Sequence, residues 1–157
     1  MVPDIESLLD RVLAIPEIER GTGATGREIE EAEQLLRLKI PLDYCVMLRR
    51  AGWLTIGHQE FWGLGPDVPK HLHLIRATQL WRTNQRLGLP GHLLPIKEDG
   101  AGNLFCLDCS HPHRNEHPII FQSHDAEPAN RSSFWAATLC EFVEDYVDEF
   151  LAEELQQ

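Results

Sequence analysis

The apolar pattern of this chain changes period at Gly52, and that switch constrains its fold more than any other feature. Upstream of it, apolar residues recur at helical spacing. Ile5, Leu8, Leu9 and Val12 share one face of a helix expected from Pro3 to Ala14, which Pro16 breaks. After a loop with Gly21, Gly23 and Gly26, Thr25-Gly26-Arg27-Glu28 has the spacing of a capping box, and Ile29, Ala32, Leu35 and Leu36 form the inward stripe of a second helix. Pro41 suits the first turn of a third helix, which runs to about Ala51 with Gly52 as its stop.

Beyond Gly52 short apolar pieces alternate with turn residues. Trp53–Ile56, Phe61–Leu64, Leu93–Ile96, Asn103–Asp108 and Pro118–Gln122 read as strands, with His73–Arg86 as an intervening helix. Ser132 or Ser133 is the expected cap of a last helix. There Leu139, Phe142, Val143, Tyr146, Val147, Phe150 and Leu151 make a wide apolar stripe. The fold class is therefore α+β: N-terminal helices, a central antiparallel sheet and a C-terminal amphipathic helix. At 157 residues and 43% apolar content the chain is sized for one folded domain, expected to span residues 1–157. It has no run of 18 apolar residues and no signal-peptide pattern at its start, so a cytoplasmic location without membrane contact is expected. In that reducing setting Cys45, Cys106, Cys109 and Cys140 are expected as free thiols.

Charge narrows the function. Fourteen Lys and Arg against 25 Asp and Glu leave a formal charge of −11, which opposes phosphate binding and makes nucleic acid an unsuitable partner. The surplus is uneven. After Arg131 there is no Lys or Arg but seven acids: Glu141, Glu144, Asp145, Asp148, Glu149, Glu153 and Glu154. Residues 68–97 reverse this, with Lys70, Arg76, Arg82, Arg86, Lys97 and no acid, so the two segments are expected to neutralise each other. Acids on the outer face of an amphipathic helix keep it soluble, and as a set they also suit a basic partner.

Four local patterns, in order, resemble the SUKH superfamily, which includes Knr-like regulators in fungi and many bacterial immunity proteins. Ile29-Glu30-Glu31-Ala32-Glu33-Gln34-Leu35-Leu36 followed by Ile40-Pro41-Leu42-Asp43-Tyr44 is similar to the family's acidic helix, Leu-Pro and next helix. Phe61-Trp62-Gly63-Leu64 is similar to its aromatic-x-Gly-Leu strand. Asp99-Gly100-Ala101-Gly102-Asn103 leading to Cys106-Leu107-Asp108 resembles its Gly-rich hairpin, with Pro118–Phe121 as the paired strand. Ser133-Phe134 precedes the last helix where the family has Ser-Phe-x-x-Phe-Leu, although here the second aromatic waits until Phe142. The resemblance covers about residues 28–152 and leaves 1–27 as an N-terminal helix and loop. Gly63 and Gly102 would supply positive φ or close backbone approach, and Leu107 shares a strand face with Phe105.

The resemblance implies, for a bacterial member, an immunity protein that binds and blocks a cognate toxin, a basic nuclease-type enzyme being the electrostatically suited target. A monomer or weak homodimer is expected. The contact surface expected from the charge pattern is Glu144, Asp145, Asp148 and Glu149, with Glu30 and Glu31. Among Trp53, Trp62, Trp81 and Trp135, which read as core or pocket walls, an aromatic exposed beside the acidic face would suit a binding hot spot.

Two other readings compete. Cys106-x-x-Cys109-x-His111-x-His113, with His117 and His124 close behind, carries zinc-ligand residue types and would make a metal-stabilised interaction domain. Against it, Cys106 and Cys109 lie an odd number of residues apart, so on a strand their thiols face opposite ways. A Knr-like regulatory scaffold without a toxin is the second. Catalysis has no motif behind it: there is no Gly-x-Ser-x-Gly elbow, His-Glu-x-x-His helix, P-loop or Gly-x-Gly-x-x-Gly, and neither enzyme activity nor a cofactor is expected.

Overall fold

A computed structural model describes residues 4–156. Helix α1 (Ile5–Leu13) is capped by Asp4, whose carboxylate accepts from the Ser7 amide at 2.7 Å, and it buries Ile5, Leu8, Leu9 and Val12. Pro3, the expected start, lies outside the described residues. After the short strand β1 (Glu19–Arg20), the predicted capping box opens α2 (Gly26–Leu36). There the Glu28 amide donates to Thr25 Oγ1 at 3.1 Å and the Thr25 amide to Glu28 Oε1 at 3.0 Å. Pro41 leads into α3 (Leu42–Arg50), where Tyr44 is fully buried and donates its hydroxyl to the Trp62 carbonyl at 2.6 Å, pinning the helix to the sheet. Gly52, at φ +77, turns the chain out of the helices.

The strands form two antiparallel sheets. β2 (Leu54–Ile56) and β3 (Gln59–Phe61) follow β1 in the order β1-β2-β3. β4 (Leu93–Glu98), β5 (Leu104–Asp108), β6 (Ile119–Gln122) and β7 (Ser132–Ala136) form the second in the order β4-β5-β6-β7. The Trp62 amide donates to the Ile96 carbonyl at 2.8 Å, joining the edge of the first sheet to β4. Gly63 bridges to the segment before α4 (Leu74–Thr83), donating to Leu72 O at 2.9 Å and accepting from the Leu74 amide at 2.8 Å. A Cβ at Gly63 would lie 1.7 Å from the Gly52 carbonyl oxygen, so close backbone approach is what demands glycine there, whereas Gly102 sits at φ +90.

The helix expected over His73–Arg86 stops at Thr83, because Asn84 Oδ1 accepts from the amides of Arg86 and Leu87 and winds the chain into a turn. A larger departure falls at Ser132 and Ser133, the expected helix cap. They and Phe134 belong instead to β7, where Gln122 pairs with Ser132, Phe121 with Ser133 and Ile120 with Phe134. Thr138 takes over the capping, its hydroxyl accepting from the Glu141 amide at 3.1 Å to start α5 (Leu139–Leu155). α5 lays Phe142 against the sheet, with ring centroids 5.2 Å from Phe105 and 6.0 Å from Phe61.

Candidate binding face

The stripe that buries Leu139, Cys140, Phe142, Val143 and Val147 turns the acids of α5 outward. Two sides of the helix then differ. Glu144 and Asp148 face α1, where Arg11 Nη1 lies 3.6 Å from Glu144 Oε1 and Nη2 bonds to Asp148. Asp145 and Glu149 are exposed on the other side and have no ion pair among the described residues. Between them the Tyr146 phenol is pushed up to about 12, first by burial and then by the negative charge of Glu149, Asp145 and Asp99.

Among the described residues, no ion pair joins this helix to residues 68–97, where neutralisation is expected. Among the described residues the cation in ion pairs with α5 is Arg11, from the N-terminal helix. Arg82 instead gives its guanidinium to the Leu36 carbonyl at the end of α2, 2.5 Å away, and to Gly91 O at 2.9 Å. Lys97 is 4% exposed. Its Nζ lies 5.0 Å from the Tyr146 ring centroid and 5.9 Å from those of Phe61 and Phe105, and donates to the Glu98 carbonyl at 3.1 Å. Burial lowers its pKa, against the pull of Asp99, Glu60 and Glu98. The charge of Lys97 is thus held inside the molecule, beneath Tyr146 of the helix that its segment is expected to neutralise.

Glu30 and Glu31 are exposed on α2, which packs on α3 and α4, while α5 packs on α1, α3, β2 and β7. Glu31 pairs with Arg27 at 3.6 Å, and Glu30 lines a groove of about 380 Å³ beside Glu33, Lys39, Leu42 and Arg49. The motif residues Pro41, Gly63, Leu64, Gly102, Leu107 and Asp108 build scaffold. Pro41, Leu64 and Leu107 are buried. Beside Gly102, Asp99 accepts from the Ala101 and Asn103 amides at 2.8 and 3.1 Å and from Asn103 Nδ2 at 2.7 Å, while Asn103 Oδ1 accepts from the His124 amide at 3.1 Å. Burial of the Asp99 carboxyl works against its ionisation, but these hydrogen bonds outweigh it and hold the pKa below the usual value. Asp108 accepts from Ser110 N at 3.0 Å and Ser110 Oγ at 2.6 Å. Phe134 is the exception among them, 67% exposed on β7.

The zinc-type residues are not gathered: among the described residues no group of three or more His, Cys, Asp or Glu is placed to hold a metal ion. Cys106 is sealed in β5, and Cys109 turns its thiol to the Leu107 carbonyl at 3.7 Å. His111 and His113 are exposed, whereas buried His117 sets its ring nitrogens 3.1 and 3.0 Å from the Asp108 and Arg114 carbonyl oxygens.

The sequence singles out Phe134 as a motif residue and Trp135 among the tryptophans that read as core or pocket walls, but not the edge strand that exposes both. Trp135, 52% exposed, packs its ring 5.0 Å from Phe105 and 5.5 Å from Phe121. Adjacent Phe134 and Trp135 in a run without charge were the available signal, masked by the serines that resemble a helix cap.

No curated protein matches the sequence. The helices, the paired antiparallel sheets and the C-terminal helix agree with the architecture that the sequence resemblance implies. A family model, SUKH_5, described as SMI1-KNR4 cell-wall, matches residues 5–148, and the chain belongs to that family.

Proposed function

We propose that this protein is a non-catalytic immunity protein of the bacterial type, which binds a cognate basic toxin, of nuclease type, in the cytoplasm and covers its working surface. It does so as a monomer or weak homodimer, with the outer face of α5, Glu144, Asp145, Asp148 and Glu149, as the contact surface and Glu30 and Glu31 as an outlying part. One observation carries the reading: α5 holds seven acids and no Lys or Arg, and Asp145 and Glu149 stand exposed without ion pairs among the described residues. A toxin that handles nucleic acid needs cations for phosphates, so an acidic ridge both steers its approach and competes for the same surface. Family membership supports a role in binding protein partners.

The test is capture of basic proteins on the immobilised chain at low salt, followed by kinetics with the captured protein and growth assays with and without the chain. Asp145→Lys with Glu149→Lys is expected to slow association by about tenfold or more and to flatten its salt dependence, with the fold intact. An unchanged on-rate removes α5 from the contact, and a captured protein that is harmless to growth removes the immunity role.

A further inference from the structure

We propose that β7 is where the basic partner's backbone docks, the partner adding a strand of its own to the open edge of the four-stranded sheet. This rests on the immunity reading above and names the surface that the partner meets.

β7 is last in the order β4-β5-β6-β7, so among the described residues it is paired on the β6 side alone. An open edge is a template for another chain, and natural proteins blunt it with lysine, proline or an inward-pointing charge. β7 reads Ser-Ser-Phe-Trp-Ala and carries none of these residues; its register against β6 shifts between Phe134 and Ala136, so the regular stretch of the edge is Ser132–Phe134. The first four residues of β7 are exposed, Phe134 at 67% and Trp135 at 52%. Successive strand residues point to opposite faces, so the edge offers one aromatic on each face, the residue type that most often anchors an interface. Trp135 reaches Phe105, which in turn touches Phe142 of α5, and Glu144 and Asp145 follow Phe142 on that helix.

Charge selects the occupant. A second copy would bring a chain of formal charge −11 against another, each with its acidic α5 near the joint. A basic protein with an extended segment of alternating apolar and cationic residues meets both requirements, its apolar side chains on the Phe134 face and its cations on the Trp135 face, where α5 carries its acids. Main-chain hydrogen bonds to β7 would supply affinity and the aromatics specificity.

The experiment uses two synthetic peptides with the whole chain: an alternating Lys-Val nonapeptide and the same peptide with its central Val replaced by Pro. Amide hydrogen exchange and the Trp135 indole resonance are followed by NMR. The first peptide is expected to protect amides of Ser132–Ala136, and the proline peptide to bind about tenfold or more weakly because it cannot complete a ladder. Phe134→Lys is expected to weaken the first peptide by about tenfold or more while leaving the melting temperature unchanged, since the side chain is exposed. Equal binding of the two peptides, or protection confined to α5, overturns the strand assignment and leaves the immunity reading standing. A concentration-dependent dimer in sedimentation that Phe134→Lys abolishes gives the edge to a second copy and overturns it also. If β7 is protected by the peptide but no captured toxin responds to Asp145→Lys with Glu149→Lys, the acidic-ridge reading fails and the strand assignment survives.

Discussion

β5 and β7 are five-residue strands of one sheet, each with an aromatic near its middle, and they live in opposite environments. β5 is paired on both sides, and Phe105 lies under Phe142 of α5 at 4% exposure. β7 is paired on one side, and Phe134 stands in solvent. The same residue type therefore stabilises the molecule in one strand and is free to meet a partner in the other. Burial is conferred by place in the strand order and by what crosses above, not by apolarity alone.

The largest expected effect follows directly. Phe105→Ala removes a ring packed against Phe121, Trp135 and Phe142 and should cost about 3–5 kcal/mol in chemical denaturation, while Phe134→Ala should stay within about 0.5 kcal/mol. Similar losses for the two would break the comparison. A smaller effect tests the junction where β7 gives way to α5. Thr138→Ala deletes the hydroxyl that accepts from the Glu141 amide and should cost about 1 kcal/mol, whereas alanine at Ser132 or Ser133 should leave α5 unchanged by circular dichroism. The smallest is a dependence on pH. The folded pKa of Asp99 lies below its reference value of 3.8, so its contribution is complete above that pH and is lost as pH falls through the folded value. Asp99→Asn should therefore lower the melting temperature at neutral pH and flatten the acid limb below about pH 4, variant and parent converging at the acid end. A variant with the same acid limb as the parent would show that the hairpin carboxylate is not favoured by its turn.

Much of the fold was legible because it is written in local chemistry. The capping box at Thr25 and Glu28, the stop at Gly52 and the turn at Gly102 need only their immediate neighbours to be read. β7 was not legible. A serine pair ahead of an apolar stripe serves a helix cap and a strand edge equally well, and the contest is decided by Ile120 and Phe121, more than ten residues away. The outward acids of α5 followed from periodicity, but the division between its sides did not. That depends on Arg11, which reaches Asp148 across 137 residues of sequence. Basic residues near in count were no guide either, since Lys97 is turned inward beneath Tyr146.

Burial of the thiols has a practical consequence. It raises the pKa of Cys106, lifts Cys109 to about 12 and Cys140 to about 11, so at neutral pH each is held as the unreactive protonated form. An alkylating reagent then registers these three, unlike half-buried Cys45, only after their surroundings part. The native chain thus carries its own clocks: label arriving at Cys106 times the opening of the central strand, and label arriving at Cys140 times the loosening of the last helix's first turn.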